Sequence, residues 1–336
     1  MATYVSEDLN DPEKFFQVKI YNGTGSSNAI TLDGNSDMAP NLVWFKRRNS
    51  SASHEIYDSV RGVNKFLYTD DTHAEDTNSN GLSAFSSNGF TVAGASSFNA
   101  SGGTSVAWCW AESATSGFDI VSFSGNQTAR TISHSLSAKP EWMWIKNREK
   151  VESWHMYHSA AGATKTYETN TNNAFDTSSG IWNDTDPTTS VFTVGNNGNI
   201  NETGSDIIVY LWAAKQGFSR FGSYYGNNLA AGNFVYCGFK PALILIKEID
   251  GTGNWVIQDK ERINDSLSDS NNGNMVQLYS NVPDAEDTDP YIFTMANGFK
   301  NINANSDTNA AGKTYAFMAF AEAPLVNSKG VPANAQ

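Results

Sequence analysis

The 336-residue chain carries 35 acidic against 22 basic residues, a formal charge of −13, and its longest basic run is Lys46-Arg47-Arg48; that balance repels phosphate backbones and excludes nucleic acid as a partner. Hydrophobic residues at 39% and aromatics at 12% supply enough apolar surface for packed cores, while no run of about 18 apolar residues exists to form a membrane-spanning helix. Two cysteines, Cys109 and Cys237, are too few for a disulfide framework, and each lies in an apolar run where a thiol packs as a small hydrophobe.

The N-terminal arm, residues 1–15, lacks the basic start and apolar centre of a secretory signal and is expected to dock a neighbour in an assembly. A first unit over 16–116 then opens on Tyr21-Asn22-Gly23. Pro40 leads into the apolar strand NLVWFKRR with its Lys46, and EIYDSVRG follows, where Asp58 and Arg61 are spaced for a local ion pair that pins a turn. After the acidic loop holding Asp70, Asp71, Glu75 and Asp76, the strand GFTVAG places Phe90, and VAWCWAE closes the unit with Trp110.

The second unit, 117–217, repeats this order. It opens at Phe123-Ser124-Gly125, runs from Pro140 through EWMWIKNR to Lys146, and carries Trp154, then Phe192 in VFTVGN and Trp212 in VYLWAAK. The third, 218–323, opens at Tyr224-Tyr225-Gly226, runs from Pro241 through ALILIKEI to Lys247, and continues with Trp255, Phe293 in IFTMAN and Phe320 in FMAFAEA; residues 324–336 form a tail. The three lysines are 100 and then 101 residues apart, and His54, Trp154, Trp255 and Asp58, His158, Asp259 keep the same register. The register stretches before the last strand of the third unit, where the acidic loop PDAEDTDP is read as an insertion.

The apolar segments are four to eight residues long, rich in Val, Ile, Phe, Trp and Tyr, and bounded by Gly, Asn, Pro or Ser. They predict an all-β protein of three tandem β-sandwiches of about 100 residues, jelly-roll or lectin-like, either stacked in line or closed about a pseudo-threefold axis, the short linkers favouring the closed arrangement. Runs such as LVWF, WMWI and LILI read as strands buried on both faces.

None of the short catalytic motifs occurs: G-x-S-x-G, the P-loop and H-E-x-x-H are all missing, and no acidic pair aligns across the units as a depolymerase would need, so the expectation is a non-enzymatic protein. His155 and His158 are three apart on a strand, hence on opposite faces, which disfavours a shared metal. Asp284, Asp287 and Asp289 are the candidate calcium ligands, although their loop departs from the twelve-residue calcium pattern; calcium is the one cofactor considered. Trp44, Trp110, Trp144 and Trp212 read as core, whereas Trp154 and Trp255, each starting a strand after a polar loop, are the candidate platforms for a glycan or host surface.

The stretch APNLVWFKRRNSSASHEIYDSVRG, with THAEDTNSNG, NGFTVAG and TSVAWCWAE after it, covers about residues 40 to 111 and resembles an uncharacterised repeat domain found in structural proteins of marine tailed bacteriophages, cyanophage-like phages among them. The resemblance implies a virion protein made in the host cytoplasm, tail or fibre associated and contacting the host surface. Its implied partners are other virion proteins, further copies of itself and a host glycan or receptor. A capsid decoration or head-fibre protein and a glycan-binding module or depolymerase are the alternatives. In the other units DSVRG gives way to HSAAG and DKERI, and Cys109 to Leu211 and Met318, so the roles of those residues are expected to be confined to the first unit.

Overall fold

The computed structural model describes residues 5–263, 275–289 and 291–331. In the first part of the chain the strands are β1 (Phe16–Asn22), β2 (Asn28–Thr31), β3 (Leu42–Arg47), β4 (Glu55–Asp58), β5 (Lys65–Tyr68), β6 (Asp76–Thr77), β7 (Leu82–Ser86), β8 (Gly89–Val92) and β9 (Thr104–Trp110). Next come β10 (Phe118–Ser124), β11 (Arg130–Ser133), β12 (Trp142–Asn147), β13 (His155–His158), β14 (Lys165–Glu168), β15 (Asp176–Thr177), β16 (Val191–Val194) and β17 (Asp206–Trp212). The last group is β18 (Ser219–Tyr225), β19 (Phe234–Tyr236), β20 (Phe239–Glu248), β21 (Trp255–Ile263), β22 (Met275–Tyr279), β23 (Ile292–Met295), β24 (Gly298–Asn301) and β25 (Thr314–Pro324). Three α-helices of four residues each are α1 (Ser179–Trp182), α2 (Gly198–Asn201) and α3 (Ser306–Asn309).

These strands form three large antiparallel sheets with orders β1-β9-β3-β4-β5-β6, β10-β17-β12-β13-β14-β15 and β18-β25-β20-β21-β22, each backed by a small sheet: β2-β8-β7, β11-β16 and β19-β24-β23. Counted from its own first strand, every large sheet follows one plan, in which the first strand pairs with the last and the last with the strand whose second-to-last residue is the lysine. The three sandwiches so formed are called first, second and third below.

Strand alternation decides what each large sheet covers. In β3, Leu42 and Trp44 point one way and Val43 and Phe45 the other; β12 and β20 split likewise, with Trp142 and Trp144 against Met143 and Ile145, and Leu243 and Leu245 against Ile244 and Ile246. The second member of each split packs on that sheet's own small partner, while the first set from all three large sheets merges into one central cluster with Trp108, Trp110, Tyr210, Trp212, Met318 and Phe320. This is why the strand sequences are apolar at consecutive positions.

The three sheets therefore close around a shared interior. At its centre the ring of Trp110 meets that of Trp212 at 6.1 Å and that of Phe320 at 5.7 Å, both edge to face, and Trp44 meets Trp144 at 5.4 Å. Large aromatics in such arrangements add roughly 0.5–1.5 kcal/mol per pair beyond their area burial. The crossings from one sandwich to the next are short turns through Gly117 and Gly217, both at φ +76, a left-handed geometry that a side chain disfavours.

The N-terminal arm packs on its own chain. Val5 and Leu9 are buried in the central cluster with Phe15 against it, and Glu13 pairs with Lys260 at 2.7 Å. Over residues 5–15 the apolar side chains thus have an intramolecular place, while Ser6, Glu7, Asp8 and Asn10 stay exposed. Asn10 also exchanges two 2.8 Å hydrogen bonds with Ser328 of the tail.

Candidate functional site

Each large sheet touches the next along a joint built from positions that match in all three. The lysine next to last in the central strand points inward and is fully buried in each sheet. Lys146 Nζ donates to the carbonyls of Lys150 and Glu152 in its own sandwich and of Thr72 in the first, at 3.0, 2.7 and 3.1 Å. Lys46 does the same toward Pro283 O in the third at 3.1 Å, and Lys247 toward Asn172 O in the second at 3.1 Å. First holds third, second holds first and third holds second, so the contacts run in a ring. Burial pushes each of these ammonium groups down to about 8.

Trp154 and Trp255 belong to the same joints. Both are 0% exposed; Trp154 Nε1 donates to Tyr68 O at 2.7 Å and Trp255 Nε1 to Thr171 O at 3.0 Å, in each case across to the preceding sandwich. His54, the matching residue of the first, faces Tyr279 O through Nε2 at 3.1 Å. The expectation of an exposed sugar platform at Trp154 and Trp255 is thereby corrected, because the loop that covers each ring comes from another part of the chain.

The joints differ in what fills their centres. Between the first and second sandwiches, Arg148 grips Glu75 with two 2.8 Å bonds, Glu75 also accepts from Arg61, Arg61 pairs with Asp58, and Tyr210 donates to Asp58 Oδ2 at 2.6 Å. Between the third and first the pattern recurs: Arg48 grips Glu286 with two 2.8 Å bonds, Glu286 meets Arg262, Arg262 pairs with Asp259 at 2.6 Å, and Trp108 Nε1 donates to Asp259 Oδ2 at 2.8 Å. At the joint of second and third the matching positions are Ile249, Phe175, Ala161, His158 and Met318, and charge is replaced by apolar packing. The expected ion pair of Asp58 and Arg61 is present, but it is not confined to the first unit. Strand pairing corrects the last-strand match too: Cys109 sits opposite Val43 and Ala319 opposite Ile244, so Ala319 rather than Met318 takes the place of Cys109.

The same matching moves the extra length of the third unit. Glu286 takes the place of Glu75, so PDAEDTDP is the counterpart of the first acidic loop, and the added residues fall between β21 and β22, partly outside the described residues. Within that loop Asp287 accepts from Gln277 at 2.9 Å and from the Asp289 amide at 3.1 Å, while Asp284 and Asp289 are exposed. Among the described residues no group of three His, Cys, Asp or Glu converges as a metal site, so the three candidate calcium ligands are not brought together.

His155 and His158 do face opposite ways: His158 lies against Trp142 at 5.3 Å, and His155 lines a cleft of the second sandwich. Burial lowers both imidazoles to about 4, which leaves them neutral at pH 7.

The sandwiches differ most on the outer faces of their small sheets. On the first this face presents Ala29, Thr31 and Thr91, and on the second Thr131 and Ser133. On the third it presents Phe234 and Tyr236, 43% and 50% exposed, with Lys300 and Gly298 of β24 between them and Phe293 and Met295 of β23, and with the Arg220 guanidinium 5.5 Å above the Tyr236 ring. Tyr225 and Leu229 are also exposed, at 72% and 58%. Sequence reading overlooked this face, although Phe234 and Tyr236 alternate with Val235 as a two-sided strand should. Phe234 and Tyr236, two apart on one strand, make this the aromatic outer face among the three.

The family described as Domain of unknown function (DUF7483) matches residues 11–324, a span that takes in all three sandwiches. The chain belongs to the DUF7483 family. The match runs without a break across the joints, in keeping with one interlocked body. No curated protein matches the DUF7483 chain. Among its described residues no helix is long and apolar enough to cross a membrane.

Proposed function

We propose that this DUF7483 protein is a non-enzymatic structural component of a virus particle, tail or fibre associated, which contacts the host surface. The observation that carries the reading is where the chain places its buried chemistry: the lysines, indoles and guanidinium–carboxylate networks of the joints all hold one sheet to the next. Such a body resists deformation, as a particle component must. Its variable chemistry lies outside, in loops and in the aromatic face of Phe234 and Tyr236, where neighbours and host surface are met. The resemblance of residues 40 to 111 to phage structural proteins supports the particle as the setting.

Mass spectrometry of purified particles, with immunogold labelling of intact ones, tests the reading. The protein is expected in the particles with gold at the tail. Its absence from purified particles, or turnover of host envelope polysaccharide by the isolated protein, would overturn the proposal, and gold spread over the head would replace tail by capsid decoration.

A further inference from the structure

The second sandwich holds a cleft of about 460 Å³ lying beside β14 and β15 and walled by α1 and by the loop that leads into α2. In the first sandwich the corresponding floor is closed: Glu55 accepts from Tyr57 OH at 2.8 Å, and the ring of Phe66 stacks on that of Tyr57. In the third the matching positions hold Val256, in the apolar core, and Gln277, which is bonded to Asp287. In the second they hold His155 and Thr166, small and polar, and where the first sandwich adds strand β7 the second has only the turn of α1.

The chemistry of the cleft is specific. The His155 ring is 5% exposed; its Nδ1 faces Thr166 Oγ1 at 3.4 Å, and its Nε2 is buried with no partner in the protein. A buried imidazole nitrogen without a partner is unfavourable, which marks this floor as polar ground left unsatisfied by the protein. The Thr166 hydroxyl also lies 3.4 Å from Met156 O, so its single proton is shared between two acceptors, and the imidazole is a polar part of the cleft floor in either tautomer. Around it stand acceptors, Glu168 and Asp176, the amides of Asn173 and Asn199, and the ring of Phe175. The formal charges on these walls are negative, so phosphate, sulfate and uronate groups are repelled. Amides, carboxylates and a neutral imidazole, with Phe175 lining one side while its ring packs on Tyr167, match a ligand rich in hydroxyls.

From this geometry we infer that the cleft of the second sandwich binds a neutral sugar residue over the polar floor formed by His155 and Thr166. The inference deepens the proposed function, on which it rests for the source of the sugar, a host surface glycan.

A glycan array probed with the full-length protein, followed by calorimetric titration of the array hits, tests it. Neutral glycans are expected to bind and acidic ones not, and Asn173→Ala with Asn199→Ala, both at the solvent-facing wall, should weaken binding at least tenfold with the melting temperature unchanged. Glycan binding that the double variant leaves intact, binding confined to acidic glycans, or no binding at all would overturn the inference. Particle labelling reads the other proposal separately: glycan binding lost in the double variant, by a protein absent from particles, keeps the cleft and removes the virion role. A particle-borne protein that binds no glycan does the reverse.

Discussion

Lys46, Lys146 and Lys247 each carry an ammonium group into a fully buried position, where backbone carbonyls replace water. A lysine after four apolar residues reads as the end of a strand emerging into solvent, so the sequence gives its register but not its direction. Replacing Lys146 by methionine keeps most of the volume and leaves the carbonyls of Thr72, Lys150 and Glu152 without their donor. Each orphaned group costs roughly 1–3 kcal/mol, against which the relief of desolvation is smaller, so Lys146→Met should lower unfolding free energy by about 1–3 kcal/mol in denaturant titrations. The pH dependence has a definite sign. Burial holds the folded lysines at about 8 while the unfolded chain retains its protons to a higher pH, so stability rises as pH increases from 8 toward 10. Lys146→Met should make that rise shallower, and an unchanged slope would speak against a charged, buried Lys146. The imidazoles act at the other end of the scale. His155 and His158, lowered to about 4 by burial, remain neutral while the unfolded chain takes up protons, so their contribution is lost as pH falls from about 6.5 toward 4. Their ring-proton NMR shifts should stay flat from pH 8 to 5, and a midpoint near 6.5 would show both rings reaching solvent.

At the scale of elements, the joints carry the information that strand patterns alone do not. A buried pair at i and i+3 was legible in Asp58 and Arg61, and the same spacing in Asp259 and Arg262 was there to be seen, hidden only because the residues between them differ. What spacing cannot give is the third member, Glu75 or Glu286, or the Tyr210 and Trp108 donors that arrive from another sheet. Removing one partner of such a network strands the others in a dry interior. Asp58→Ala should therefore cost about 3–5 kcal/mol, since Arg61 and the Tyr210 hydroxyl both lose their acceptor. The joint of second and third sandwiches shows the alternative filling, His158 with Ala161, so Asp58→His combined with Arg61→Ala should cost less than Asp58→Ala alone. A double-mutant cycle from denaturant melts measures the coupling, and strict additivity would contradict a shared network. Trp154 and Trp255 teach the same lesson in reverse: each follows a polar loop and so reads as half exposed, but loops from the neighbouring sandwich close over them.

For the whole molecule, the strand content and the two-faced burial of the central strands were legible because apolar residues at consecutive positions require cover on both sides. The packing of the three large sheets follows from that requirement: no sheet has enough partner surface in its own sandwich, and the second face of each is covered by the other two, with Val5 and Leu9 of the N-terminal arm added. Trp110, Trp212 and Phe320 meet at the centre with one ring from each sheet. The cleft at His155 and the aromatic face at Phe234 and Tyr236 escaped sequence reading for the opposite reason, since they lie where the sandwiches depart from their common plan. A shared interior has a thermodynamic signature, because opening one sandwich would expose the apolar faces of all three and break two joints. The most direct test is scanning calorimetry of the intact chain. One transition with calorimetric and van't Hoff enthalpies in agreement is the predicted result; two or three resolved transitions would contradict a single locked body.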